Sequence, residues 1–186
     1  MPKEMSIMAT LKLVKEGSVE LKRPNYFDEE VTNNAIEKLL PELLAFIGVT
    51  ENHGEDYVEQ VRTDVFNAIE FEDDGYDICR HLDNATWDID ADTVEFMDNN
   101  VSSCRYDAHK EIEAQWVKDN NIRPKHSIGD VIKFNHPSKS LQPVGEVVVM
   151  DEKQGRYLVF SEELGHVRTG VGSHGIYVVY ESVVEK

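Results

Sequence analysis

The sequence predicts an α+β protein in which an acidic helical region is followed by a small antiparallel β-module. Apolar residues recur at helical spacing between residues 25 and 122, and from Ile128 they alternate with a period of two. Residues 120–124 hold two asparagines and a proline, which favour a chain break. We therefore expect the helical region to span residues 25–122 and the β-module to span residues 123–186.

The first 24 residues carry a different pattern. Apolar residues alternate loosely with polar ones from Met5 to Leu21, and Gly17 interrupts the alternation. This pattern predicts an extended arm or a strand pair with a turn at Gly17. We treat residues 1–24 as a separate segment.

The first predicted helix follows Asn25 and ends at Gly48, a residue typical of a helix C-terminus. Its apolar residues lie three or four positions apart, beginning with Phe27. Pro41 interrupts the pattern, and because proline lacks a backbone N–H we expect it to kink or split this helix.

Three more helices are predicted, over residues 55–71, 75–82 and 90–120. Asp90 is the expected N-cap of the last one, because a side-chain carboxylate there accepts hydrogen bonds from the first-turn N–H groups. The apolar spacing predicts a buried stripe along this helix, made of Val94, Met97, Val101, Cys104, Ala108, Ile112 and Trp116.

Four β-branched and aromatic segments follow, at residues 130–134, 145–150, 156–161 and 176–180, with turn residues between them. In the order of these segments, this last third of the chain resembles the SH3-like barrel class, which includes KOW and Tudor modules. The resemblance implies a small barrel and no particular ligand.

A second resemblance concerns the region around the chain break. Residues 74–83, with the sequence DGYDICRHLD, and residues 116–122, with the sequence WVKDNNI, are similar to segments of uncharacterised bacteriophage proteins that join a short helical region to such a barrel. This resemblance implies a viral origin and a location in the host cytoplasm. It implies no activity.

Negative charge is concentrated in the helical region. Residues 26–119 contain 25 Asp and Glu against 6 Lys and Arg, which gives this region a net charge of −19. The whole chain has a net charge of −17. Residues 120–186 hold 8 acidic and 8 basic residues. A field concentrated in this way attracts basic protein surfaces and repels nucleic acid and anionic membranes.

Two sets of carboxylates have helical spacing, so each set forms a row if its segment is helical. We predict that they contact a partner: Glu70, Asp73, Asp74 and Asp77 in the first set, and Asp88, Asp92, Glu95 and Asp98 in the second. Neighbours in such rows lie about 5–6 Å apart, and duplex DNA carries one charge per roughly 1.7 Å of its axis. Acidic helices side by side can thus approach a phosphate-like array. The alternative is a face that only keeps the protein in solution.

Other motifs give no stronger assignment. Asp88–Asp92 has the spacing DxDxD, but Thr93 and Asn99 stand where an EF-hand needs glycine and glutamate. Residues 170–175 read GxGxxG but lead into a strand rather than a helix. The 7 histidines and 2 cysteines have no metal-binding or catalytic spacing. We therefore predict no catalytic residue, metal or cofactor.

The leading hypothesis is a non-catalytic, phage-type DNA mimic that occludes the basic groove of a host nucleic-acid-binding protein, such as a defence or DNA-processing enzyme. The alternative is an adaptor that binds a protein or peptide through its SH3-like barrel, and an enzyme ranks third. No apolar run has the length of a signal peptide or membrane span, so we expect a soluble cytoplasmic protein without direct contact to nucleic acid or membrane.

Overall fold

The computed structural model describes residues 22–70, 74–136, 141–165 and 175–184. In these residues, four α-helices precede a four-stranded antiparallel sheet, so the predicted α+β class is confirmed. The helices are α1 (Glu29–Phe46), α2 (Gly54–Ile69), α3 (Gly75–Asn84) and α4 (Ala91–Asp119). The strands are β1 (Val131–Lys133), β2 (Val144–Asp151), β3 (Arg156–Phe160) and β4 (Ile176–Val179). An arm was predicted over residues 1–24, and residues 1–21 of it lie outside the described residues.

Helix α1 begins later than the position of Asn25 indicated. The backbone N–H of Asn25 donates to Asp28 Oδ2 at 2.7 Å, which closes a turn ahead of the helix, and Asp28 occupies the N-cap. Pro41 lies inside α1, on its exposed side, and the helix is continuous across it. Of the two outcomes expected at Pro41, a kink or a split, the split does not occur.

The start of helix α4 agrees with the sequence. Asp90 Oδ1 accepts hydrogen bonds from the Thr93 backbone N–H at 2.8 Å and from its hydroxyl at 2.7 Å. These bonds lower the pKa of Asp90 below its ordinary value, and the bond from the Thr93 hydroxyl contributes most. Trp87 and Ile89 pack against the helical core just before the cap. The middle aspartate of the DxDxD run is therefore a helix cap.

The stripe predicted along α4 is only partly buried. Met97, Val101 and Ala108 are buried, whereas the other predicted members are partly exposed. Two charged residues, Arg105 and Glu113, are buried on the same helix, at 0% and 5% exposure. The inward-facing side thus includes positions that an apolar pattern does not mark.

The helices share one core. Helix α1 packs along α4, α2 packs against α1 and α3, and α3 packs against α4. The fully buried side chains at its centre come from all four helices: Leu43, Val65, Ile69, Ile78, Leu82, Met97 and Val101. Removal of these apolar surfaces from water stabilises the bundle, at about 25 cal/mol per Å².

The sheet is an antiparallel meander in the order β1-β2-β3-β4. Strands β2 and β3 pair from Glu146–Phe160 to Asp151–Arg156, and an irregularity lies between Val147 and Val149. The inward face has its own core of Ile132, Phe134, Val147, Tyr157, Val159, Val178 and Tyr180. Over the residues that the structure describes, the sheet is compatible with a barrel-like domain but is not closed. An isolated bridge from Phe134 to Val183 joins the end of β1 to the segment after β4.

Arg23 connects the helices to the sheet. Its Nη1 donates to Glu113 Oε1 on α4 at 2.7 Å and to the Gln154 carbonyl in the β2–β3 turn at 2.8 Å. Its Nη2 donates to both carboxylate oxygens of Glu181, at 3.0 and 2.9 Å. The guanidinium also lies over the Trp116 ring, 4.9 Å from its centroid. One side chain thus contacts α4, the β2–β3 turn and the segment after β4.

Candidate functional site

Two of the predicted contact residues cap helix α3. Asp74 Oδ1 accepts hydrogen bonds from the backbone N–H groups of Tyr76 at 3.0 Å and Asp77 at 3.2 Å. Asp98 Oδ1, from α4, accepts from the Gly75 N–H at 2.6 Å. Because a helix N-terminus carries partial positive charge and unpaired N–H groups, both carboxylates stabilise the start of α3. The structure therefore brings Asp74 and Asp98 together, in a structural role.

The first predicted row does not lie on one helix. Helix α2 ends at Ile69, Glu70 is its C-cap residue, and α3 begins only at Gly75. Asp77 is in the first turn of α3 and pairs with Arg80 at 2.9 Å. Asp73 lies outside the described residues. The helical spacing from which this row was predicted is therefore not realised between residues 70 and 77.

The second row is shorter than predicted. Asp92, Glu95 and Asp98 lie on α4, whereas Asp88 precedes the helix. Asp88, Asp92 and Glu95 are exposed. They are the members of this set whose charge is not used in a described cap or ion pair.

Asp88 lines a groove that the sequence did not reveal. The groove has a volume of about 770 Å³ and lies between the end of α1, helix α2 and the loop before α4. Asp64 and Asp90 also line it, together with Tyr57 and Trp87. Asp64 is fixed there by the Trp87 indole N–H, which donates to its Oδ2 at 3.0 Å. The tertiary fold thus adds two carboxylates beside Asp88.

The basic residues of the helical region do little to neutralise the acidic surface of the helices. Lys38 pairs with Glu111 at 2.9 Å, and Arg62 pairs with Glu37. The hydrogen bond from Arg62 lowers the pKa of Glu37, and the one to Glu111 raises the pKa of Lys38. Arg80 pairs with Asp77. Arg105 is buried, and its guanidinium carbon lies 4.9 Å from the centroid of the Phe27 ring. Four of the six basic residues are thus bound locally or buried.

A second cavity, of about 630 Å³, lies where residues 121–126 pass the sheet. Tyr157 and Tyr180 line it, with ring centroids 4.3 Å apart. The Tyr157 hydroxyl accepts hydrogen bonds from the backbone N–H groups of Lys125 at 2.9 Å and His126 at 3.0 Å. Burial raises the pKa of Tyr180 to about 12, and electrostatic repulsion from Tyr157, Glu152 and Asp151 adds a smaller part. Its phenol therefore keeps its proton at neutral pH.

The free cysteines are placed as apolar residues. Cys79 is buried and Cys104 is half-buried, and burial raises the pKa of both thiols. A protonated thiol is a weak nucleophile. Within the described ranges, no group of three or more His, Cys, Asp and Glu side chains is arranged to hold a metal ion. The GxGxxG run lies outside the described residues except for Gly175, which precedes β4.

Comparison with known proteins identifies no family. No protein-family model, curated protein or solved structure matches this chain. Among the helices of the described ranges, none combines the length and the apolar character needed to cross a membrane.

Proposed function

We propose that this protein is a non-catalytic acidic interaction protein whose helical region binds the basic groove of a nucleic-acid-binding protein. The observation that carries this proposal is the imbalance of exposed charge on the helices. Residues 26–119 have a net charge of −19, and four of their six basic residues are tied into local ion pairs or buried. The remaining carboxylates present a negative field to the solvent.

Such a surface competes with nucleic acid for the same partner. A basic groove that binds phosphates attracts exposed carboxylates by the same long-range field, which speeds association and weakens as salt is added. Self-repulsion within the helices destabilises the fold, and solubility alone needs a net charge of only about 2–8 for a small domain. A partner of opposite charge explains why the chain carries more.

Three of the eight proposed contact residues already have a partner within the described residues. Asp74 and Asp98 cap α3, and Asp77 is paired with Arg80. We assign the partner contacts chiefly to Asp88, Asp92 and Glu95, and we keep Glu70 and Asp73 as further candidates on the basis of their charge. Charge carried by these residues is available to a cation of the partner.

The viral origin that the resemblance to phage proteins implies favours a host protein as the partner. We infer an inhibitor, acting in the host cytoplasm, of a host defence or DNA-processing enzyme, with no cofactor and no direct contact to nucleic acid. Its β-module belongs to the SH3-like barrel class in this proposal. The short helical turn Tyr180–Ser182 followed by the Phe134–Val183 bridge supports that assignment.

The test is a pull-down from bacterial lysate with the purified chain, washed in rising salt and competed with duplex DNA. The test variant is Asp88→Asn/Asp92→Asn/Glu95→Gln, and the control Glu152→Gln/Glu162→Gln/Glu163→Gln removes the same charge from exposed positions of the sheet region. We expect salt and DNA to release a nucleic-acid enzyme, and the test variant to lose at least about tenfold in affinity, the equivalent of roughly 1.4 kcal/mol. Equal loss in both variants, or retention indifferent to DNA, contradicts the proposal.

A second candidate function is an adaptor that binds a protein or peptide through the sheet. The outer face of the sheet favours it. Val149, Leu158 and Tyr177 lie side by side in the register, and Val149 and Tyr177 are 46% and 56% exposed. In the same pull-down, a partner that resists salt and is lost with Val149→Ser/Tyr177→Ser supports the adaptor instead.

A further inference from the structure

The groove beside Asp88 has the size of a binding site and is open to a partner. Its volume of about 770 Å³ falls within the roughly 300–1,000 Å³ of ligand pockets. Two of its aromatic side chains are accessible from solvent, since Phe46 is 41% exposed and Tyr57 is 44% exposed. Aromatic residues are enriched in protein–protein interfaces, where they supply much of the contact energy. The groove is therefore placed to receive a group from a partner.

The walls of the groove are largely apolar. Side chains from three elements supply this surface: Phe46 and Ile47 at the end of α1, Val61 on α2, and Trp87 in the loop before α4. Trp87 follows a sharp turn at Thr86, whose φ of +69° is a left-handed conformation that β-branched residues rarely adopt. The backbone N–H groups of these two residues donate back to carbonyls of α3, at 2.9 and 3.1 Å. The turn thus sets the indole into the groove wall.

Three carboxylates border this apolar surface, and among the described lining residues none is Lys, Arg or His. Asp64 and Asp90 are two of the three. Asp64 is half-buried and accepts hydrogen bonds from the Trp87 indole N–H at 3.0 Å and from the Gln60 amide at 2.8 Å. Because an ionised carboxylate has about four lone-pair positions, these two bonds leave room for a further donor. The third is Asp88, which is exposed and whose charge no described cap or ion pair uses.

Aromatic walls beside carboxylates favour one class of cation. A guanidinium is planar, stacks on aromatic rings and donates to carboxylates through a fork of N–H groups. An ammonium group is compact and more strongly hydrated, so it gains less from an apolar wall. A cation over the face of a tyrosine or tryptophan ring is also attracted by the electrons of the ring. The groove therefore suits an arginine side chain better than a lysine.

We propose that this groove binds an arginine side chain of the basic partner. The guanidinium lies against the rings of Tyr57 and Trp87 and donates to Asp64 and Asp88, while the alkyl part of the side chain contacts the apolar wall. This inference rests on the proposed function, because it takes the partner to be a protein with a basic groove. It adds a specific anchor to the field of the helical region, whose net charge of −19 attracts the partner from a distance.

The test titrates the full chain with N-acetyl-arginine amide and with the matching lysine and citrulline amides. Citrulline has the shape of arginine without its charge. The indole N–H signal of Trp87 reports on the groove in NMR spectra, and that of Trp116, which lies under Arg23, is the internal control. We expect a saturable arginine shift at Trp87, with citrulline at least about tenfold weaker and lysine about three- to tenfold weaker. No saturable shift, equal citrulline binding or equal lysine binding overturns the proposal.

Paired variants separate the groove from the general acidic field. Asp88→Asn should weaken arginine binding about three- to tenfold, because it removes a charge-assisted contact. Asp107→Asn makes the same charge change at an exposed position of α4 outside the groove, so it should change the affinity less than about twofold in physiological salt. Equal losses in the two variants would assign the binding to the field and refute the groove.

A second pair tests the aromatic wall. Tyr57→Leu should weaken arginine about three- to tenfold, because a leucine cannot stack on a guanidinium. Tyr106→Leu is the control, since Tyr106 is 53% exposed on α4 and does not line the groove. Equal affinity in these two variants contradicts the stacking.

The lysate pull-down distinguishes a failure of this inference from a failure of the proposed function. Capture of a DNA-released enzyme by Tyr57→Leu with unchanged affinity rejects the arginine anchor and keeps the proposed function. Saturable arginine binding without capture of such an enzyme rejects the proposed function and keeps the groove as an arginine site.

Discussion

The helical region and the sheet region use charge in different ways. The helices carry a net charge of −19 over residues 26–119, whereas residues 120–186 are balanced. In the helical region, carboxylates also serve as caps: Asp74 and Asp98 hold the start of α3, and Asp90 holds the start of α4. In the sheet region, the distinguishing features are an exposed apolar face and a cavity lined by Tyr157 and Tyr180.

The contrast shows that a charge-rich surface does not consist of equivalent residues. Some carboxylates cap helices or form ion pairs, and others carry charge that the described fold does not use. The two regions also depend on each other, because Arg23 offsets a buried carboxylate of α4 and an exposed one beside the sheet. The following predictions test which residues belong to which group.

The largest effect is expected at Arg23. Replacing Arg23 with Ala leaves the Glu113 carboxylate, whose side chain is 6% exposed, without its cation. We expect a loss of roughly 3–5 kcal/mol in the free energy of unfolding, the usual cost of stranding one partner of a buried ion pair. Urea denaturation followed by tryptophan fluorescence measures it, because Trp116 lies under the guanidinium.

The double variant Arg23→Ala/Glu113→Gln is the control for this prediction. It removes the stranded charge, so it should recover part of the lost stability. A double variant no more stable than Arg23→Ala would show that the loss comes from the other contacts of Arg23, such as those to the β2–β3 turn, and not from the stranded Glu113 charge.

The next effect is expected where α3 meets α4. A Cβ atom at Gly75 would lie 2.7 Å from both the Asp98 backbone nitrogen and the Val94 carbonyl oxygen. We expect Gly75→Ala to cost roughly 2–3 kcal/mol by thermal or urea unfolding, since the helices must separate. Gly165→Ala is the control in the sheet region. A Cβ atom at Gly165 would meet no other atom within 4 Å, but the φ of this residue is +73°. The substitution should therefore cost only the strain of a left-handed backbone conformation, about 1 kcal/mol. Equal costs would mean that the helices do not approach as described.

A smaller effect separates capping from charge at Asp74. Asp74→Ala removes the acceptor for two backbone N–H groups and should cost about 1 kcal/mol in unfolding free energy. Asp74→Asn keeps an acceptor while it removes the charge, so it should retain most of that stability. If the two variants are equally unstable, interaction of the charge with the helix dipole outweighs the cap.

The smallest effect concerns pH and the sheet region. With a pKa of about 12 against an ordinary 10.0, Tyr180 keeps its proton when an unfolded tyrosine has lost it. Its contribution to stability is therefore complete below pH 10 and is lost as the pH rises to 12. Tyrosinate absorbance of the folded chain should show a late titrating tyrosine among the 7, missing in Tyr180→Phe. Identical titration curves would contradict the burial of this hydroxyl.

Local sequence signals located the helices and strands well. The period of the apolar residues identified all four described helices and all four strands, and the cap at Asp90 was predicted correctly. These features depend on residues within a few positions of each other. Pro41 was expected to kink or split α1, and the helix is not split, because burial of the face around Pro41 keeps it continuous.

The carboxylate rows were harder to predict, since spacing indicates a row only within one helix. Glu70 and Asp77 have helical spacing but belong to different elements, because α2 ends at Ile69. Asp64 and Asp88 are far apart in sequence and line one groove. Which carboxylates meet depends on how the helices pack, and the charge count holds no such information.

The sequence by itself determined the α+β class, the order of the elements and the concentration of acidic charge on the helices, because composition and periodicity are local properties of the chain. Only the tertiary structure decided which charges are buried. Glu113 meets Arg23 across 90 positions, and the ring of Phe27 lies against Arg105. Partners brought together from distant parts of the chain make burial of a charge tolerable, and no pattern along the sequence marks them in advance.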